Sequence, residues 1–444
     1  MKIKIYFTLA VILLLSGCAS KYDKLYNAKP GYYSYVAGPL HSNNINEEHA
    51  SKVYATPASC QKIVTSLIAL KTLGPKFKYQ TELFVIKKDG KIYDVIIKFS
   101  GDPTLTSEQL TSLLQSLQNS TISGHIFLDA SIYKTSSYSH NLIIDDIGTD
   151  YTAPVSAINI DKNLIAIRII AGKIGKSAII QADPGYSVNS KVITNDQKSS
   201  VKLSWVDGLI HATGNINETD PVLELKISPQ DHDKYVLHKI NGVLSRLNIK
   251  GKIKIIRDKS LISPKATSKN KIESLPLEEI IKPALKNSDN LVYDSIYLSV
   301  INSNTEEEIY KWEQGSDIVK KLINTHFGID AGSALFVDGS GLSRYNRIQP
   351  IVLFSLLKKG FEIPEFLNAL ARPGEENSTL KNRTQLSSNI IAKTGNMSGI
   401  SCLCGYSFAS YYPKAFVFMG SSFSPPSKEL FEVMDSFINK NLGK

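Results

Sequence analysis

Cysteine and histidine are scarce in this chain, and each shortage removes a class of protein. Four cysteines are spread over 444 residues. One, Cys18, closes an N-terminal apolar run, so only Cys60, Cys402 and Cys404 lie beyond it. Cys402 and Cys404 stand two apart in an apparent strand, where same-face neighbours are too far apart to bridge without distortion. No disulfide framework of the kind that staples small exported folds is implied. The eight histidines contain no H-E-x-x-H and pair with no cysteine at ligand spacing. A zinc peptidase is therefore not expected, nor is any metal or cofactor. Past the N-terminal run, no apolar stretch reaches the ~20 residues that a bilayer crossing needs, so the remainder reads as soluble. Internal repeats are missing. So are nucleic-acid-binding motifs, although the formal charge is +10 and basic residues thicken from Lys250 to Lys271. That charge suits either an anionic surface or a solvated basic face, and no nucleic-acid partner is expected.

What is present begins at the N-terminus. Lys2 and Lys4 precede the apolar run Ile5 to Leu15, which has the length of a secretory h-region and is too short to span a membrane. It ends in Leu15-Ser16-Gly17-Cys18, which resembles the lipobox of bacterial lipoproteins, where the cysteine thiol is acylated and becomes the new N-terminus. Ala19 is not the aspartate that retains such proteins in the inner membrane. The expectation is a periplasmic protein anchored by lipid to the outer membrane, held by two or more acyl chains because one alone binds weakly. For an exported chain, a polyanionic cell envelope is the natural partner of the positive charge. The length after Cys18 predicts two or three domains.

Periodicity supplies the elements. Ile63, Val64, Leu67, Ile68 and Leu70 recur at helical spacing, and Gly74-Pro75 stops that helix. Glu82 to Phe99 reads as two strands around Lys88-Asp89-Gly90, a hairpin signal. A helix from Ser107 to about Leu117 follows, and then a β-rich stretch from about 120 to 230, with strands at His125–Leu128, Leu164–Ile170, Ser177–Ala182, Val201–Trp205 and Val222–Ile227. A helix over Tyr235–Leu247 and a strand over Ile253–Arg257 lead out of it. The polar run Ser260–Lys271 reads as a loop. Helices then recur at Leu277–Leu285, Leu291–Val300, Gly315–Asn324 and Pro350–Leu356. Strands at Ile390–Lys393, Ser401–Phe408 and Ala415–Gly420 precede a last helix, Lys428–Asn441.

Three short elements carry chemistry: Ser59-Cys60-Gln61-Lys62, Ser288-Asp289-Asn290 and Lys393-Thr394-Gly395. Each alone is weak, since S-x-x-K also starts at Ser131, Ser199, Ser268, Ser355 and Ser378. Context raises them. Ser59 falls at a helix start, where free N–H groups and the macrodipole favour developing negative charge. Lys62 lies one helical turn on, so its amine shares a face with the serine oxygen. Lys393 and Thr394 end a short β-run, which places a cation and a hydroxyl on a strand. The order S-x-x-K, S-x-N, K-T-G is that of β-lactamases and penicillin-binding proteins.

Around the trio, Pro57-Ala58-Ser59-Cys60-Gln61-Lys62, Gly101-Asp102-Pro103-Thr104-Leu105, Asp338-Gly339-Ser340-Gly341-Leu342-Ser343-Arg344 and Leu380-Lys381-Asn382-Arg383 resemble, in collinear order, segments of the penicillin-binding protein 4-type D-alanyl-D-alanine carboxypeptidases/endopeptidases. The 229-residue step from Ser59 to Ser288 is similar to that family, whose extra domains interrupt the catalytic domain after the first motif. Departures exist. The stretch before Ser59 is short, Leu291-Val292-Tyr293-Asp294 replaces the usual small residue and glutamate, and the region of Asp145-Asp146 and Tyr151-Thr152-Ala153-Pro154 lacks the family's tryptophan.

The resemblance implies an α/β (α+β) serine transpeptidase/β-lactamase-like catalytic domain. Its antiparallel sheet is flanked by helices, with a large, mostly β insertion between the first and second motifs. Residues 1–18 would be the signal, 19–80 the first part of the catalytic domain, 81–260 the insertion and 261–444 the second part. It also implies the roles. Ser59 is the nucleophile, Lys62 the base, and Ser288 the proton relay to the leaving amine. Asn290 orients the peptide amide, and Lys393 and Thr394 of the K-T-G motif, with Gly395, bind the terminal carboxylate. The N–H groups of Ser59 and Asn396 form the oxyanion site. The partners implied are peptidoglycan stem peptides ending in D-Ala-D-Ala, with β-lactams as inhibitors. Rival readings are a β-lactamase and an inert envelope lipoprotein that binds muropeptides. Asp338-Gly339-Ser340-Gly341 reads as a structural turn, and Cys60 as a buried apolar filler.

Overall fold

The computed structural model describes residues 32–42, 44–139, 142–143, 146–258, 266–422 and 427–442; the lipobox and Asp145 lie outside them. The two ends of the chain build one sheet. Strand β1 (Tyr32–Pro39) pairs antiparallel with β16 (Lys414–Ser421), from Tyr32 opposite Ser421 to Pro39 opposite Lys414. With β2 (Glu47–His49), β14 (Ile390–Met397) and β15 (Ile400–Ser407) the sheet runs β14-β15-β16-β1-β2. Both its faces are buried, so successive residues enter different cores. Tyr33, Tyr35, Leu403, Phe416 and Phe418 pack with Met434, Phe437 and Ile438 of the C-terminal helix. Their neighbours Val36, Cys402, Cys404, Val417 and Met419 face the larger core. This is the period of two expected of a pleated strand.

Against that second face lies α1 (Gln61–Thr72), buried from Gln61 to Leu70. Burial takes in its polar residues Gln61, Lys62, Thr65 and Ser66 as well as the apolar ones that set the helical spacing. The chain then leaves for the insertion. Strands β3 (Gln80–Lys88) and β4 (Lys91–Lys98) turn through Asp89 and Gly90, both at positive φ (52° and 76°), the backbone that an Asp-Gly hairpin supplies cheaply. α2 (Ser107–Leu114) has a complete capping box from Thr106 and Gln109. It links β4 to β5 (Thr121–Asp129), and these two strands pair in parallel, as a helical crossover requires. After β6 (Ile165–Ile170), β7 (Ile179–Ala182), three further strands and β11 (Val222–Ile227), α3 (His232–Arg246) leads into β12 (Lys250–Ile256), which pairs in parallel with β5.

Two expectations are corrected here. Inside the polar run read as a loop, Ser260–Lys271, begins β13 (Thr267–Glu273), which closes the sheet β12-β5-β4-β3-β13 by pairing with β3. It is exposed almost throughout, so it carries no apolar alternation to betray it. The β-rich middle also holds two strands that were not anticipated, β8 (Val188–Asn195) and β10 (Leu209–Asn217), joined in parallel beside β9 (Ser200–Val206). Polar, exposed faces hide them in the same way.

The chain returns through α4 (Leu277–Asn287), α5 (Asn290–Ser303), α6 (Gly315–Phe327), α7 (Pro350–Gly360) and the short α8 (Pro364–Ala369). Cys60, Cys402 and Cys404 are buried free thiols. Arg383, in the segment before β14, forms a buried pair with Asp435 of α9 (Ser427–Leu442), its Nε 2.7 Å from Oδ2. That pair ties the last helix to the approach of β14.

Candidate active site

The nucleophile turn, so called for the role expected of Ser59, is built from Pro57 to Cys60. Ala58 to Cys60 form a 3-10 turn that runs straight into α1, and Ala58 is held at φ 45°. Such a conformation is costly for a residue with a Cβ. It sets Ser59 half-exposed at the helix start while Ala58 and Cys60 are buried. One turn on, Lys62 is fully buried. Its Nζ lies 3.0 Å from Ser59 Oγ, 2.7 Å from Asn290 Oδ1 and 2.6 Å from the Ser340 carbonyl oxygen. Asn290 comes from the first turn of α5, whose N-cap is Asp289, the side chain accepting from Val292 N at 3.0 Å. The Asn290 amide donates to the Tyr151 carbonyl at 2.9 Å, so a loop of the insertion closes one wall of the site.

β14 supplies the opposite wall. It is the last strand of the sheet, and its outer side bridges Ala371 through Ala392 and meets the nucleophile turn at Gly395. A Cβ on Gly395 would stand 2.5 Å from the Pro57 carbonyl and 3.1 Å from Ser59 N, so only glycine permits this approach. Cys60 is more than a filler: its thiol donates to the Lys393 carbonyl at 3.3 Å and joins turn to strand. Lys393 is buried and its Nζ donates to the Thr394 carbonyl at 2.7 Å, while Thr394 Oγ1 donates to Thr379 Oγ1 at 2.7 Å. Asn396 is exposed at the strand's end, its side chain accepting from Ser401 Oγ at 3.0 Å.

Ser288 stands apart from this contact set. It caps α4 in a left-handed conformation (φ 62°) and is half-buried. Its hydroxyl forms no hydrogen bond to Lys62 or Ser59 among the described residues. It lines, with Asn290, Tyr151, Ala153 and Lys162, a cleft of about 320 Å3 beside the site.

Burial governs the electrostatics. Desolvation pushes the Lys62 amine down to about 8 against the pull of Asp294, Asp338 and Asp289, which favour its charged form. Lys393 is pushed down to about 7, by burial and then by the charge of Lys62. Burial, reinforced by Asp338, raises the Asp294 carboxyl well above its ordinary range; burial raises Asp338 too. An amine poised near neutrality against a serine hydroxyl is the pairing that acyl transfer uses.

Sequence reasoning missed several members of this site. The segment Asp338 to Gly341, read as a structural turn, places the Ser340 carbonyl on Lys62. Asp294 accepts hydrogen bonds from Gly339 N and Ser340 N. Tyr293 sets its ring 5.6 Å from Lys62 Nζ. One signal was available: Asp294 is four residues after Asn290, hence on the same face of α5.

The model of the D-Ala-D-Ala carboxypeptidase 3 (S13) family matches residues 29–440. The chain belongs to that family. It is accordingly a serine-type DD-peptidase with the penicillin-recognising α/β fold. It is 26% identical over 398 residues to the D-alanyl-D-alanine carboxypeptidase DacB of Haemophilus influenzae, covering 84% of this chain and 81% of that one. A D-alanyl-D-alanine carboxypeptidase of Actinomadura sp. is 24% identical over 79% of this chain and 70% of its own length. Among solved structures, penicillin-binding protein 4 of Haemophilus influenzae superposes with a TM-score of 0.80 at 24% identity, over 95% of this chain and 99% of that one. That protein has also been solved with a β-lactam. A predatory endopeptidase of Bdellovibrio bacteriovorus shares the fold more distantly, with a TM-score of 0.54 at 15% identity over 93% of each chain.

Proposed function

We propose that this DD-peptidase hydrolyses the bond after the penultimate D-alanine of peptidoglycan stem peptides, as a carboxypeptidase on free ends, an endopeptidase on cross-links, or both, through an ester on Ser59. The observation that carries the reading is the contact of the buried Lys62 amine with Ser59 Oγ at 3.0 Å. As a neutral amine, Lys62 takes the Ser59 proton while Oγ bonds to the substrate carbonyl carbon. The developing oxyanion is received by the N–H groups of Ser59 and Asn396. Asn290 holds the peptide amide, and the Lys393 ammonium, the Thr394 hydroxyl and the Gly395 backbone receive the terminal carboxylate. The C–N bond breaks as the leaving amine gains a proton through Ser288, which must close on the pair once substrate fills the cleft; such contacts are often long before substrate binds. Water then attacks the ester, returns a proton through Lys62 and frees Ser59. Penicillin presents a carbonyl and carboxylate at similar spacing and leaves a slow ester in the same place.

Intact-mass spectrometry after fluorescent penicillin, followed over time, tests this. A lasting adduct that is lost in Ser59→Ala supports it. An adduct that disappears within seconds is the behaviour of a β-lactamase, and adduct or D-alanine release that persists in Ser59→Ala overturns the assignment. The place of action we propose is the periplasm, with Cys18 acylated and the protein held on the outer membrane. Among the described residues no helix is long and apolar enough to cross a membrane. Incorporation of labelled fatty acid that survives in Cys18→Ser would refute the anchor.

A further inference from the structure

We infer that Asp294 is a positioning residue for Lys62, acting through the backbone of Gly339 and Ser340 to aim the lone pair of the amine at Ser59. The inference rests on Lys62 serving as the base, and it concerns what turns that base the right way.

A neutral lysine amine has two N–H bonds and one lone pair. Around Lys62 Nζ there are three hydrogen-bonding neighbours among the described residues, and two of them can only accept. The Ser340 carbonyl, at 2.6 Å, has no proton to give. Asn290 presents its Oδ1, at 2.7 Å, and that orientation is fixed because its Nδ2 donates to the Tyr151 carbonyl. These two acceptors consume both N–H bonds. The lone pair is left for the remaining neighbour, the Ser59 hydroxyl at 3.0 Å. Without the carbonyl, the amine is free to rotate and offer Ser59 an N–H instead, and it then cannot take the proton.

The carbonyl is held there by Asp294. Its Oδ1 accepts from Gly339 N at 3.0 Å and from Ser340 N at 2.7 Å. The segment is wedged on both sides. A Cβ on Gly339 would stand 2.3 Å from the Tyr293 carbonyl, and one on Gly341 1.9 Å from the Ala58 carbonyl. The loop is thus pressed between α5 and the nucleophile turn, with no room for either residue to carry a side chain. Asp338 does a different job, bracing the turn itself through Gly341 N (2.7 Å), Ser343 N (2.6 Å) and the Asn346 amide (2.8 Å). Because Asn290 and Asp294 are one turn apart on α5, a single helix delivers both acceptors, one directly and one through the loop.

The test measures acylation by fluorescent penicillin against pH in Asp294→Asn and Asp294→Ala. The groups facing Lys62 are Asp294 and Asp289 at α5, Asp338 in the loop, Cys60 in its own turn and Lys393 on β14. Both variants remove the same ionisable carboxyl, so any movement of the profile's midpoint is common to the two. Asparagine keeps a carbonyl oxygen for the two N–H groups, and the expected plateau rate is within about threefold of the parent protein. Alanine keeps none, and the plateau should fall between about tenfold and a hundredfold, the scale of a reacting group misplaced by ~1 Å. Should the alanine protein not fold, Asp294→Ser, too short to reach both N–H groups, takes its place. Equal plateaus in the two variants, whether both high or both low, overturn the inference. Acylation that persists in Lys62→Met instead removes the base assignment beneath it, so the two failures are distinguishable.

Discussion

The pH dependence of acylation should differ between the free enzyme and the loaded one, and the two buried lysines set the difference. Productive encounter needs Lys62, the proposed base, neutral and Lys393, the proposed seat of the carboxylate, charged. With Lys62 near 8 and Lys393 near 7, the two requirements oppose each other, and the competent fraction is the product of one falling and one rising titration. That product peaks near pH 7.5 and falls about twentyfold at two pH units to either side, since each slope reaches tenfold per unit. The second-order rate constant for penicillin, measured by stopped flow at low concentration, is expected to trace this bell. Saturating penicillin changes the outcome. Its carboxylate, seated by Lys393, favours the ammonium form there, so the first-order acylation rate should lose the alkaline fall and climb to a plateau above pH 8. The reasoning fails if the second-order constant is flat between pH 6 and 9. It fails equally if the alkaline limb survives at saturation, because the falling group would then not be the one that the carboxylate protects.

Two further perturbations follow from the packing. Gly395→Ala puts a Cβ 2.5 Å from the Pro57 carbonyl and 3.0 Å from Cys60 N, so β14 must retreat from the nucleophile turn; overpacking of this kind costs roughly 1–3 kcal/mol, and the acylation rate should fall more than about tenfold in a protein that urea titration shows still to be folded. Asp435→Ala leaves the Arg383 guanidinium buried without its carboxylate, a change worth about 3–5 kcal/mol, which the denaturation midpoint should register; a loss under about 1 kcal/mol would mean that water reaches Arg383.

Local chemistry made much of this protein readable. S-x-x-K is legible because a helix returns residue i+3 to the same face, and the order of three motifs is a property of the chain alone. The hairpin at Asp89-Gly90, the capping box at Thr106 and the stop at Gly74-Pro75 depend on residues within a turn of each other. Strands with one apolar face, such as Leu164–Ile170, announced themselves by alternation. Thr267–Glu273 did not, because its partner β3 supplies the burial and its own side chains stay in water. The Ser340 carbonyl was hidden for a related reason: a backbone oxygen has no letter in the sequence, and nothing near residue 340 reveals that Lys62 will lie beneath it.

The sequence by itself set Ser59 one helical turn before Lys62, the K-T-G strand and the family, since each depends on residue type, short spacing or order along the chain. Only the tertiary structure decided what turns these residues into a site. The 228-residue step between Lys62 and Asn290 closes when α5 packs against α1, and the two ends of the chain meet as β1 and β16. Burial, which no residue carries alone, then draws Lys62 and Lys393 toward neutrality. Proximity and desolvation arise from long-range packing, and so the depressed amines, the Asp294 contact and the aim of the Lys62 lone pair belong to the folded molecule.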